Sequence, residues 1–247
     1  MPPARVDEPA IAAALARRSL LLAPPLAWLS GCASVGTVTE APGTRFAGQG
    51  WHAVPLPGKS QTSYRWVEKD GRASIAANAD RSASMWRRKV NVPSQDLGQA
   101  SFSWRVDRLI EGASVADADR EDAPARVMFA FAGDVARLSA RTRMMFELAH
   151  ALTGEPPPYA TLMYVWEGKE PVDSLVINSR TDRVRKIVLD SGASHLGRWR
   201  QHRRNLVVDF RRAFGEDPGP LVAIAVMTDA DNTRSVAEAW YGPIELD

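Results

Sequence analysis

Much of the usual equipment for covalent chemistry is missing from this chain. One cysteine, Cys32, occurs among 247 residues, so no disulfide can close within it. The four histidines, His52, His150, His195 and His202, lack the helical i, i+4 spacing that presents two imidazoles to zinc. No serine stands in a glycine elbow and no glycine-rich loop ends in a phosphate-cradling Lys-Ser/Thr. A spanning apolar run is absent too: Ser19 to Leu29 is about a dozen residues, against roughly 20 for a membrane helix. The charge is close to balanced, with 31 Lys and Arg against 29 Asp and Glu. A near-neutral chain gives no electrostatic case for nucleic acid.

What is present begins at the amino terminus. Arg17-Arg18 precedes Ser19 to Leu29, which Pro24 and Pro25 interrupt. A positive start, a short apolar stretch broken by proline and then small residues describe a signal peptide over residues 1–31. Leu29-Ser30-Gly31-Cys32 resembles the lipobox of bacterial lipoproteins. That resemblance implies diacylglycerol on Cys32, cleavage before it and fatty acylation, of the palmitate class, of the new terminus. Several chains make a firm membrane anchor where one is marginal. The bland alternative is a buried thiol. Ala33 follows in place of the Asp that holds enteric lipoproteins in the inner membrane, which points to the outer membrane, facing the periplasm. Arg17-Arg18 fits twin-arginine export as well as the general route. Residues 32–50 read as the lipidated cysteine and a Gly/Thr/Pro-rich tether, and 51–247 as one domain.

The body reads as short strands separated by Gly, Pro, Asn and Asp. Phe102, Trp104 and Val106 share one face of a strand, as do Val127, Phe129 and Phe131. Tyr159 to Trp166 is long and aromatic, and Leu221 to Met227 is nearly all apolar. Asp70-Gly71 after an alternating stretch marks a hairpin. Asp134 to Leu152, capped by Asp134 and stopped near Gly154, reads as a long amphipathic helix, and Leu206 to Phe214 as a short one. Mostly β, with one long and one short helix decorating a sandwich, is the architecture this implies.

Three stretches resemble a bacterial family catalogued as domain of unknown function 3047. They are Phe102 to Val106 with Asp122 to Val127, then Tyr159 to Trp166, then Met227 to Thr233 with Ala239 to Gly242. The family brings no activity with it. The pattern also resembles, more loosely, jelly rolls of the galactose-binding-like type.

Several constellations could carry function. Asp229, Asp231 and Asn232 offer oxygens to a hard cation such as calcium, or form an Asx-rich turn that bonds its own backbone. Asp122 belongs to an acidic run and can pair with Arg126 or face a ligand. Carboxylates among Asp122, Glu167, Asp229 and Glu238 could hydrolyse a glycoside if two of them faced each other. Trp86, Tyr164 and Trp166 could stack on sugar rings, or fill the core. The arginines Arg198, Arg200, Arg203, Arg204, Arg211 and Arg212 could meet acidic glycans or lipid head groups, or line a wet helix face with salt bridges. The expectation is an envelope lipoprotein that binds a glycan or another envelope component without catalysis. A glycoside hydrolase and a scaffold for a protein partner are the alternatives.

Overall fold

The computed structural model describes residues 50–247. The expected signal peptide, Cys32 and all but the last residue of the expected tether lie outside the described residues. Among those described are thirteen strands: β1 (Trp51–Pro55), β2 (Ser63–Lys69), β3 (Arg72–Asp80), β4 (Ala83–Val92), β5 (Gln99–Val106), β6 (Ala123–Phe131), β7 (Ala160–Glu167), β8 (Leu175–Ile177), β9 (Val184–Ser191), β10 (Trp199–Asn205), β11 (Leu221–Asp229), β12 (Val236–Tyr241) and β13 (Glu245–Leu246). Helices α1 (Ala140–Thr153) and α2 (Leu206–Phe214) complete the set. No helix among the described residues is long and apolar enough to cross a membrane.

The strands form two sheets. Sheet 1 runs β1-β4-β11-β6-β7-β9-β8; sheet 2 runs β10-β5-β12-β3-β2, with β13 added beside β5. Pairing is antiparallel except between β7 and β9. Because successive side chains in a strand point to opposite faces, one residue in two from each sheet enters the space between them. Phe102, Trp104, Val127, Phe129, Phe131, Leu162, Tyr164, Trp166, Ile224 and Val226 all meet in that one core. The chain is a mostly-β sandwich with one long and one short helix, as its periodicities imply, and of the jelly-roll type that its looser resemblance implies. The hairpin at Asp70-Gly71 forms as expected, with both residues at positive φ (53° and 72°), the conformation of a two-residue loop joining twisted strands.

Two elements depart from the sequence reading. Asp134 caps only a 3₁₀ turn, Val135–Arg137; α1 starts later, where the Ser139 side chain accepts from Thr142 N. No residue of α1 is buried, so its apolar side does not pack on a sheet as an amphipathic helix would. Most of the arginine-rich stretch is not a helix face either: only Arg211 and Arg212 lie on a helix. Residues 199–205 are strand β10, and helix α2 begins only at Leu206. The arginines of this stretch find acids within the protein: Arg200 with Asp190 at 2.8 Å, Arg203 with Asp247 at 3.0 Å, Arg204 with Asp209 at 2.8 Å, Arg211 with Asp217 at 2.5 Å. A bulge between β7 and β9 sets Asp190, not Leu189, opposite Trp166. There Asp190 accepts from Trp104 Nε1 and His202 Nε2 as well as Arg200. Burial pushes its carboxyl up, but these donors outweigh it and hold the group below the usual range.

Candidate functional site

The acids and the arginine read as site residues do converge, but under the surface. Ala125 and Val127 of β6 face the core, so Arg126 between them points out of sheet 1. Its Nη2 donates to Asp229 Oδ2 at 2.9 Å and to the Glu121 carbonyl at 2.5 Å. Asp229, the last residue of β11, accepts from Ala123 N at 3.0 Å. Asp122 accepts from Asn232 N (3.1 Å), Thr233 N (2.7 Å) and Thr233 Oγ1 (2.6 Å). Asp231 pairs with Lys59. Lys186, on β9, sends Nζ to Glu121 Oε1 and to the Val115 carbonyl, each at 2.7 Å. Asp122, Arg126, Lys186 and Asp229 are all buried. Together they fasten the segment containing Val115 and Glu121 onto the outer side of sheet 1, with Val115 packed on Met163, Val165 and Val188.

The electrostatics follow from that burial. Desolvation raises the Asp229 carboxyl to about 7, opposed by Arg126 and reinforced by the negative charge of Asp122. Desolvation and the nearby Arg126 both lower the Lys186 ammonium. One carboxylate oxygen each from Asp122, Asp229 and Asp231 lies within 4.8 Å of the others. Asp122, rather than Asn232, completes this set; the Asn232 amide instead donates to the Ala118 carbonyl at 3.2 Å. Three carboxylates fall short of the six to eight oxygens calcium takes. Arg126 and Lys59 already supply positive charge there, so the donor set does not fit an all-oxygen calcium cage. A glycosidase pair needs two carboxyl groups flanking a bond in an open cleft. Asp122 and Asp229 are instead turned to protein donors, and Glu167 is buried.

The three rings read as a stacking surface do not form one. Tyr164 and Trp166 occupy core-facing positions of β7 and are fully buried. Tyr164 stacks on Phe102 at 5.6 Å and donates to Asp209; Trp166 donates to the Gly192 carbonyl. Trp86 is half-buried against Tyr64, 5.6 Å away. Their register opposite the rings of sheet 2 decides this: they fill the sandwich.

An open polar groove lies elsewhere, on the outer side of sheet 2. Its volume is about 490 Å³, and Arg72, Ser101, Ser103, Gln201, Arg203 and Glu245 line it. Because Phe102 and Trp104 point inward, Ser101 and Ser103 point out; Gln201 and Arg203 face Ser103 and Ser101 across the β5–β10 register. Arg72 Nη1 donates to Ser103 Oγ at 2.9 Å. Its guanidinium carbon sits 4.7 Å from the ring of Trp199, half-buried at the start of β10. Gly242 makes this possible, since a Cβ there would run into Ser103 Oγ. Arg72 has no acidic partner among the described residues. Donors, acceptors and an indole on one strand face suit hydroxyl-rich ligands with apolar ring faces. The sequence reading missed Trp199, Gln201 and Arg72. The signal was there, in the alternation of Trp199, Gln201 and Arg203, but the surrounding arginines disguised it as a charged helix.

The model of a family described as "Protein of unknown function (DUF3047)" matches residues 49–245. No curated protein matches the chain. Among solved structures, a family 11 carbohydrate-binding module of the cellulosomal cellulase Lic26A-Cel5E of Clostridium thermocellum is similar at 12% identity and a TM-score of 0.38, covering 80% of this chain and 86% of that one. The xyloglucanase domain of NopAA, a type three effector from Sinorhizobium fredii in complex with cellobiose, is similar at 9% identity and a TM-score of 0.41, covering 80% and 92%. The mannan-recognising module TmCBM27 is similar at 14% identity and a TM-score of 0.29, covering 79% and 86%.

Proposed function

This chain belongs to the family of proteins of unknown function DUF3047, and for it we propose non-catalytic binding of a cell-envelope glycan by a lipoprotein anchored through Cys32. The anchor would hold the domain at the outer membrane, facing the periplasm. One observation carries the binding half. Exposed Gln201, Arg203 and Glu245 and half-buried Arg72 line one open groove, with the Trp199 ring against the Arg72 guanidinium, while Asp122 and Asp229 are turned to protein donors. A shallow site lined by hydrogen-bonding side chains beside an aromatic ring can hold a sugar without straining or protonating it. The anchoring half is supported by the short apolar stretch and by Leu29-Ser30-Gly31-Cys32.

Calorimetric titration of the purified protein with envelope glycans tests the first half. Saturable heat with the glycan recovered intact is the expected result; no heat with any glycan, or cleaved product, would remove this function. For the anchor, mass spectrometry of the protein from bacterial membranes should find acyl mass on Cys32 and none after Cys32→Ser. An unacylated wild-type protein would refute that half alone.

A further inference from the structure

Helix α1 carries a line of large apolar side chains that stand exposed among the described residues. Met144, Leu148 and Leu152 follow one another at i, i+4 and i+8, which stacks them along one side of a helix. They are 61%, 52% and 65% exposed, and Met145 beside them is 46% exposed. Only the other side, at Thr142, Phe146 and Ala149, is half-buried. The stripe therefore does not serve the core.

Arginine outnumbers acid around it. Arg137 in the preceding turn and Arg141 and Arg143 on the helix stand against one acid on the helix, Glu147. The Arg137 charge acts on Glu216; Arg141 and Arg143 form no ion pair with an acid among the described residues. An exposed apolar row with Arg141 at its first turn can enter a bilayer interface while the arginine reaches anionic head groups. The course of the chain agrees. Residues 52–57, the start of the described domain, line a groove of about 560 Å³ together with Ala149, Leu152 and Thr153 of α1. The first described strand thus lies beside the carboxyl end of the stripe, at Leu152.

We propose that α1 docks on an anionic membrane surface, with Met144, Leu148 and Leu152 entering the interface. The orientation toward the anchored side rests on the lipoprotein reading above; the stripe and its arginines do not. Docked this way, α1 would fix which face of the sandwich looks away from the membrane, a fixed geometry that a flexible tether could not impose.

A probe at residue 148 tests this locally. In the full chain carrying Cys32→Ser, Leu148→Cys takes an environment-sensitive fluorophore, and Glu68→Cys on exposed β2 takes it as a control. With phosphatidylglycerol-containing vesicles the 148 probe should shift to the blue and become shielded from a soluble quencher. The 68 probe should do neither. The response should shrink in high salt, with phosphatidylcholine vesicles, and in the Arg141→Glu, Arg143→Glu background. A 148 probe that stays quenchable on anionic vesicles would overturn the proposal, as would an equal response at 68. Acylation of Cys32 is measured separately on wild-type protein, so failure of the anchor and failure of the helix are told apart.

Discussion

The outer sides of the two sheets carry the same residue types and use them in opposite ways. On sheet 1, Asp122, Asp229, Arg126 and Lys186 are buried and held by partners inside the protein: Arg126 with Asp229, Lys186 with Glu121, and Asp122 with Asn232 and Thr233. On sheet 2, Arg72, Gln201, Arg203 and Glu245 border open space, and Arg72 meets only a serine hydroxyl and an indole. A charged residue in a sequence motif is thus as much a candidate for holding the protein together as for binding. What separates the two is whether a cover segment has removed it from water. On sheet 1 the segment around Val115 and Glu121 does so; across the sheet 2 groove no segment of the described residues lies.

The comparison breaks most visibly at Arg126. Replacing it with alanine leaves Asp229 without its cation, while Glu121 keeps Lys186; removing one partner of a buried pair costs about 3–5 kcal/mol. Thermal unfolding should show a fall of roughly 2–4 °C for each kcal/mol lost. Asp122→Ala comes next. It strips three donors around Thr233 of their acceptor, at roughly 1–3 kcal/mol, and should expose the 230–235 turn to faster hydrogen exchange.

A pH series sharpens the contrast further. Asp229 has a folded value of about 7 against 3.8 for the free group, so between those values the folded protein holds this proton more tightly than the unfolded chain. Its contribution to stability is therefore greatest below 3.8 and declines as pH rises toward 7. Chemical denaturation should show that decline, and Asp229→Asn should flatten it. Asp190 behaves the other way: its depressed carboxyl contributes stability above the unfolded value and loses it as the solution is acidified. The smallest stability effect belongs to the groove. Gln201→Ala, at an exposed position, should change unfolding by less than about 0.5 kcal/mol.

Sequence periodicity revealed the layers well because the sandwich obeys a period of two wherever one face is apolar. Phe102 to Val106 and Arg126 to Phe131 are examples. It misjudged β10, whose inward positions are Arg200, His202 and Arg204. These are polar because Asp190 and Asp209 wait for them, and such long-range pairing leaves no local trace. Likewise the grouping of Asp122 with Asp229 and Asp231 was legible as three separate acids but not as one buried set, since β6 and β11 meet only in the folded sheet. Tyr164 and Trp166 show the converse. Their chemistry suits a sugar, but their strand parity commits them to the core.

The groove on sheet 2 carries the proposed function, and Trp199, against whose ring the groove's Arg72 rests, is the aromatic beside it. A calorimetric titration comparing wild-type protein with Trp199→Ala, using a glycan the wild type binds, addresses it directly. Losing a stacked aromatic should weaken binding by roughly tenfold or more, with the unfolding midpoint little changed. Equal affinity in the two proteins would contradict the assignment and place the glycan, if one binds, somewhere other than this face.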